Sequence, residues 1–267
     1  MLDLSLCRTL LFLPASNARA IEKARELLAD MIVLDLEDAV REEDKGRARE
    51  AALEAAAQGF GDKLVAIRIN VVGHKEHGHD MLALRGSKAP FVVLPKVQTV
   101  KELHDTRAVS ERPVIAMIET SLGVLDAPLL ARHSAALIAG TNDLGASLRL
   151  PPGAGRRGLS MALQHVVLAA RAAGVAAFDG VYNKLADDDG LVAEAEEGRA
   201  YGFDGKSVIH PSQIDTVNRI FSPSPEELAA AQALIASASG GAERHEGRMI
   251  EEMHVEQARR LVARGRR

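Results

Sequence analysis

Thr9-Leu-Leu-Phe-Leu-Pro-Ala-Ser-Asn17 packs an apolar run, a turn and a helix cap into one short stretch. The run Thr9–Pro14 is almost continuously apolar, as expected of a parallel strand buried on both faces. Asn17 is a good N-cap for Ala18–Ala29, whose Ile21, Ala24, Leu27 and Leu28 share one helical face. The turn between them decides the architecture. A dinucleotide-binding sheet needs a glycine-rich turn after its first strand, and Leu13-Pro14-Ala15-Ser16-Asn17 contains no glycine.

The same strand-then-helix unit recurs along the chain. Further apolar runs lie at Met31–Leu36, Leu64–Asn70, Phe91–Pro95, Val114–Ile118, Ala135–Ala139, Val175–Phe178 and Ser207–Ile209. Helical segments separate them, including Glu42–Ala57, rich in Ala, Glu and Arg, and Ser160–Ala173, with Gly174 placed as its C-cap. Eight such units in 267 residues predict a closed (β/α)8 TIM barrel rather than an open sheet. The pattern changes after the eighth strand, where Pro211, Pro223 and Pro225 punctuate the chain and Ser237–Gly241 is small and flexible in composition. We therefore expect a barrel over residues 1–222 and a C-terminal helical extension over residues 223–267. That extension holds a last helix, Met249–Arg264, and a basic tail expected to be a solvated terminus.

Composition narrows the function. Aromatic residues make up only 3% and Trp is absent, so aliphatic side chains must pack the core. A net charge of −4 gives no electrostatic reason to expect a nucleic-acid partner. The single cysteine, Cys7, excludes an internal disulfide and suits a reducing compartment. No apolar run approaches the roughly 18 residues needed to span a bilayer, and Met1–Leu13 lacks a basic leader with a cleavage site. The expectation is a cytoplasmic protein.

A barrel presents its chemistry at the C-terminal ends of its strands. The polar residues there are Asp35, Glu37 and Asp38, then Arg68 and Asn70, Lys96, Glu119, Gly140-Thr141-Asn142-Asp143, Asp179, Lys206 and His210. Carboxylates gathered in one mouth without a cation would raise one another's pKa and cost stability. A divalent metal and an anionic substrate answer both problems. Oxygen donors without cysteine or paired-histidine spacing point to Mg²⁺, with Glu119 and Asp143 as first choices and Gly140–Asp143 also offering amides to a substrate carboxylate. His74, His77 and His79 have loose metal-like spacing, but the bland reading of an exposed loop is preferred.

These segments resemble a known family. Arg8–Asn17, Ala29–Val40, Ile67–Asn70, Val93–Val97, Ile118–Thr120, Gly140–Asp143, Phe178–Tyr182 and Gly202–Gln213 are similar, in order, to the citrate lyase β-subunit (HpcH/HpaI aldolase) family. The resemblance implies a TIM barrel, Mg²⁺ on Glu119 and Asp143, and an oxo-acid contact from Arg68. It further implies making or breaking a C–C bond between an acyl-CoA thioester and a 2-oxo acid, in a homotrimer or hexamer. Glu37 and Asp38 match its Leu-Glu-Asp motif and are expected to orient metal waters or pair with Arg68. Asp38 stands where pyruvate-aldolase relatives have His. Near the C-terminus, acyl-CoA members carry a catalytic Asp that acts across a subunit boundary; this chain has Glu251 after Gly247-Arg-Met-Ile250. Alternatives are a 2-oxo acid aldolase acting on pyruvate or oxaloacetate with an aldehyde, and a citryl-thioester lyase subunit of a multi-chain complex.

Overall fold

The computed structural model describes residues 3–238, 243–245 and 248–265. Its strands are β1 (Thr9–Pro14), β2 (Met31–Asp35), β3 (Leu64–Arg68), β4 (Phe91–Leu94), β5 (Val114–Ile118), β6 (Ala136–Ala139), β7 (Ala176–Asp179) and β8 (Gly205–Val208). All eight pair in parallel, and β8 returns to β1 to close the barrel. β1 and β5 have the expected bounds; β2, β3 and β4 end one or two residues early because pairing stops before the apolar run does, β6 and β7 begin one residue late, and β8 begins two residues early.

The intervening helices are α1 (Ala18–Ala24), α2 (Lys45–Gln58), α3 (His77–Leu84), α4 (Val100–Ser110), α5 (Ser121–Ala131), α6 (Thr141–Ser147), α7 (Ser160–Ala173) and α8 (Asp188–Tyr201). Asn17 caps α1 by accepting the Ala20 amide, and Gly174 ends α7 in the left-handed region at φ 71°. α1 stops at Ala24, short of the expected Ala29.

Alternation along the strands fixes what lies inside. Leu10 and Phe12, Met31 and Val33, Leu64 and Ala66, Phe91 and Val93, Ile115 and Met117, Ala136 and Ile138, and Ala176 and Phe178 form one buried cluster. These are every second residue of seven strands, so they fill the interior in layers. The eighth strand makes room differently. A Cβ on Gly205 would lie 2.5 Å from the carbonyl oxygens of both Cys7 and Arg8, so only glycine lets β8 press against the chain entering β1.

Asp179 and Lys206 end up on the other parity. Both are fully buried, facing outward between β7, β8 and α8. The Lys206 ammonium reaches Asp179 at 2.9 Å and Glu194 at 2.7 Å, and Arg156 binds Asp179 at 2.9 Å and Glu197 at 2.6 Å. This network fastens α8 to the barrel wall. Their placement corrects the reading of Asp179 and Lys206 as residues of the mouth.

The chain divides into two compact units, the first ending at Asn218 and the second beginning at Arg219, within α9 (Ile214–Phe221). The second unit contains α10 (Pro225–Ser237), the antiparallel pair β9 (Glu243–His245) and β10 (Arg248–Ile250), and α11 (Glu252–Arg264). Ser224 caps α10 with a reciprocal bond from Glu227. Met249 lies in β10, so the last helix begins three residues later than expected. Most of Ser237–Gly241, and Arg266 and Arg267 of the tail, lie outside the described residues.

Replacing Lys206 by Met strands acidic groups in the wall and should cost about 3 kcal/mol of stability. Chemical denaturation checks this, and ligand binding at the mouth should be unchanged in the folded variant.

Candidate active site

The mouth is built by continuing the interior parity one layer up. Two residues beyond Val33 is Asp35, two beyond Ala66 is Arg68, and two beyond Met117 is Glu119. Asp35 and Arg68 are register partners across β2 and β3. Their side chains therefore meet, with Arg68 Nε donating to Asp35 Oδ1 at 2.7 Å and Nη2 to Oδ2 at 2.6 Å. Arg68 Nη1 stands 2.9 Å from Glu37 Oε2, and the guanidinium lies over the Phe12 ring at 5.4 Å. Burial works against the Arg68 charge, but Asp35, Glu37 and Glu119 outweigh it and hold the guanidinium above its ordinary pKa.

Glu119 is the single residue between the end of β5 and Thr120, which caps α5 by accepting the Gly123 amide at 3.0 Å. That short link leaves the carboxylate no direction but inward, and it is 1% exposed. Its Oε1 accepts the Lys96 amide at 2.7 Å. A Cβ on Gly140 would overlap the Glu119 carboxylate, so glycine there is what lets β6 end against it. Burial, reinforced by the nearby Glu37 charge, pushes the Glu119 carboxyl up to about 8. Burial likewise raises Glu37.

Asp143 lies in the first turn of α6 and is partly exposed. Thr141, Asn142 and Asp143 begin this helix, where amides lack an intrahelical acceptor; the Gly140 amide is already spent on Ile118 O. Asn142 and Asn183 exchange amide hydrogen bonds, the shorter at 2.6 Å, tying the loop after β6 to the loop after β7. A pocket of about 390 Å³ opens here, lined by Asp35, Asp38, Arg68 and Glu119, by Gly140–Asp143, and by the apolar Phe12 and Met117 among others.

Asn70 and His210, read as strand-end candidates, are elsewhere. Asn70 binds Lys45 and Asp80, and His210 accepts the Ser212 amide on the surface. His77 is bonded to Asn70 O and His74 to Glu42. Glu251 belongs to the second unit, exposed at the N-cap of α11, with its amide donating to His254 Nδ1 at 2.9 Å. Lys96 reads from the sequence as a strand-end residue, but the sequence assigns it no role there. Its ammonium lies 3.0 Å from Glu37, 3.6 Å from Asp38 and 3.6 Å from Asp143. Burial opposes its charge, yet these acids raise its pKa. Its one signal in sequence was a lysine directly after the Leu-Pro that ends β4.

Among the described residues no group of three or more His, Cys, Asp or Glu could hold a metal ion. A magnesium ion does not require one, since it keeps several waters and takes one or two protein carboxylates. Glu119 and Asp143 fit that donor set: one is a buried acid that resists ionisation, the other a partly open acid lining the same pocket.

A closed parallel barrel with an acidic, arginine-bearing pocket at its strand ends is the architecture of a barrel lyase. Residues 159–267 match the C–C bond lyases of the TIM-barrel fold, and residues 8–211 match the HpcH/HpaI aldolase/citrate lyase pattern. The chain belongs to the HpcH/HpaI aldolase/citrate lyase family. It is 39% identical to a (3S)-malyl-CoA thioesterase of Cereibacter sphaeroides, over 96% of this chain and 93% of that one. It is 35% identical to the citrate lyase subunit beta of Leuconostoc mesenteroides, over 86% and 82%. The CitE protein of Mycobacterium tuberculosis, solved with magnesium, acetoacetate and coenzyme A, superposes with a TM-score of 0.84 at 31% identity, covering 99% of this chain and all of the other.

The raised Glu119 pKa sets a direction for stability. The folded state favours the protonated acid, so ionising it costs stability as pH rises from the ordinary carboxylate range through about 8. Without metal, Glu119→Gln should melt several degrees above the parent protein at about pH 9, and the gap should close toward about pH 5. Melting curves in chelator across that range check it.

Proposed function

We propose that this enzyme cleaves or forms the C–C bond of a 3-hydroxy-dicarboxylic acyl-CoA thioester, giving a 2-oxo acid and an acyl-CoA, with Mg²⁺ held by Glu119 and Asp143. The observation that carries this reading is the convergence of a buried Glu119, Asp143 and an anchored Arg68 on one pocket. Mg²⁺, when bound, polarises the carbonyl of the oxo acid. Arg68, immobilised by Asp35, holds positive charge beside the oxygen on which negative charge develops, at no reorganisation cost. Glu37 and Asp38 orient this charge from the side of β2.

In cleavage the substrate hydroxyl gives up its proton and the bond to the thioester α-carbon breaks. The electron pair passes to that carbon, which then takes a proton. We assign the donor to Glu251, acting from the extension over a neighbouring copy's site in a homotrimer or hexamer. An apolar face supports assembly: Leu122, Leu125 and Leu129 on α5 are exposed, as are Met161 and Leu168 on α7, the helix packed beside it. We place the protein in the cytoplasm; among the described residues no helix is long and apolar enough to cross a membrane.

A second reading, hydrolysis of the thioester itself, is favoured by the likeness to the (3S)-malyl-CoA thioesterase. Incubation of malyl-CoA with Mg²⁺ separates the two. Glyoxylate with acetyl-CoA supports C–C cleavage, whereas malate with free CoA thiol supports hydrolysis and overturns the first reading. Glu119→Ala and Asp143→Ala should each abolish Mg²⁺-dependent binding of pyruvate or oxalate in calorimetry while unfolding stays cooperative. Glu251→Gln should lower turnover by about 100-fold or more, with oxo-acid binding retained; parent-like turnover removes Glu251 from the chemistry.

A further inference from the structure

We propose that Lys96 is an internal counter-cation: it neutralises the acidic mouth when metal is absent and withdraws when Mg²⁺ binds. This rests on Glu119 and Asp143 being the metal ligands. The first observation is geometric. Among the described residues, Lys96 is the only cation within 4 Å of either Asp38 or Asp143. Its ammonium stands 3.6 Å from Asp143 Oδ1, on the carboxylate that would hold the metal. An ammonium and a divalent cation on one carboxylate would repel each other.

The second observation is backbone strain. Lys96 has φ 52°, in the left-handed region that side chains other than Gly and Asn rarely adopt. This conformation turns the amide onto Glu119 and the side chain onto Glu37, so one residue addresses both walls of the acidic cluster. Strain of this kind persists where the surroundings over-determine it, and it concentrates at functional sites.

The third is mobility of the charge. Arg68 cannot yield, because its fork is held bidentately by Asp35. Lys45 is enclosed by Leu36 O, Glu37 O and Asn70, and Lys206 is fully buried between Asp179 and Glu194. The Lys96 side chain is 27% exposed and makes single contacts through a flexible stem. It has somewhere to go. The two cations thus compete for one set of acids, and by linkage each lowers the affinity for the other.

Calorimetric titration of Mg²⁺ alone at about pH 8.5, where proton competition at Glu119 is reduced, tests this with Lys96→Met and Lys96→Arg. Lys96→Met should bind Mg²⁺ about fivefold or more tightly than the parent and melt lower in chelator, while Lys96→Arg keeps parent-like affinity. Unchanged or weaker Mg²⁺ binding by Lys96→Met overturns the proposal, since a residue that merely props the site would weaken it. Should that variant not fold, reductive methylation of the parent read by peptide mass spectrometry replaces it. Saturating Mg²⁺ should raise labelling of Lys96 several-fold relative to Lys206, and unchanged labelling overturns the proposal. A parent protein that takes up no Mg²⁺ instead overturns the assignment of Glu119 and Asp143, and this inference with it.

Discussion

Repulsion among acids crowded at one end of a barrel is the constraint around which the mouth is organised. Asp35, Glu37, Asp38, Glu119 and Asp143 come together there, with Arg68 and Lys96 as the cations that reach them. Each acid meets the problem differently. Asp35 is matched by a bidentate arginine, Glu119 resists ionisation, and Asp38 and Asp143 stay partly in water. What is left over is an appetite for positive charge, held in a frame whose Arg68 is fixed by Asp35.

The strands were legible because a parallel barrel wall is apolar on both faces, and continuous aliphatic runs are hard to mistake. The same property hid their parity. A strand with polar residues on one face declares which way its last residue points; Ala176-Ala-Phe-Asp179 does not. Asp179 and Lys206 therefore read as equivalent to Glu119 and Arg68, although they face the helices and serve the wall. Counting in steps of two back from Phe178 would have separated them. Arg68, Glu119 and Asp143 could be singled out in the sequence because Arg68 ends one apolar run, Glu119 follows another directly, and Asp143 closes the short Gly-Thr-Asn segment after a third. Lys96 could be placed at a strand end but not given its partners, because its contacts depend on a left-handed backbone at its own position, which no side-chain pattern announces.

C–C cleavage and thioester hydrolysis ask different things of the pocket: cleavage develops charge on the oxygen of the oxo-acid half, whereas hydrolysis leaves that half unreacted and changes only the thioester carbonyl. In the proposed cleavage the frame formed by Asp35, Arg68, Glu119 and Gly140 would serve the oxo-acid half. A barrel core can stay fixed while residues around its mouth change the reaction it supports.

The seam where β8 meets β1 has a consequence for how the protein is made. Thr9 pairs with Lys206, so the first strand waits for nearly the whole barrel to be synthesised before its outer edge is covered. Until then the nascent half-barrel shows the ribosome's surroundings an apolar ribbon with unsatisfied amides, the kind of edge on which chains join one another. Gly205, by admitting the final strand closely, ends that exposure. Closure of that seam removes the last unpaired edge of the barrel sheet.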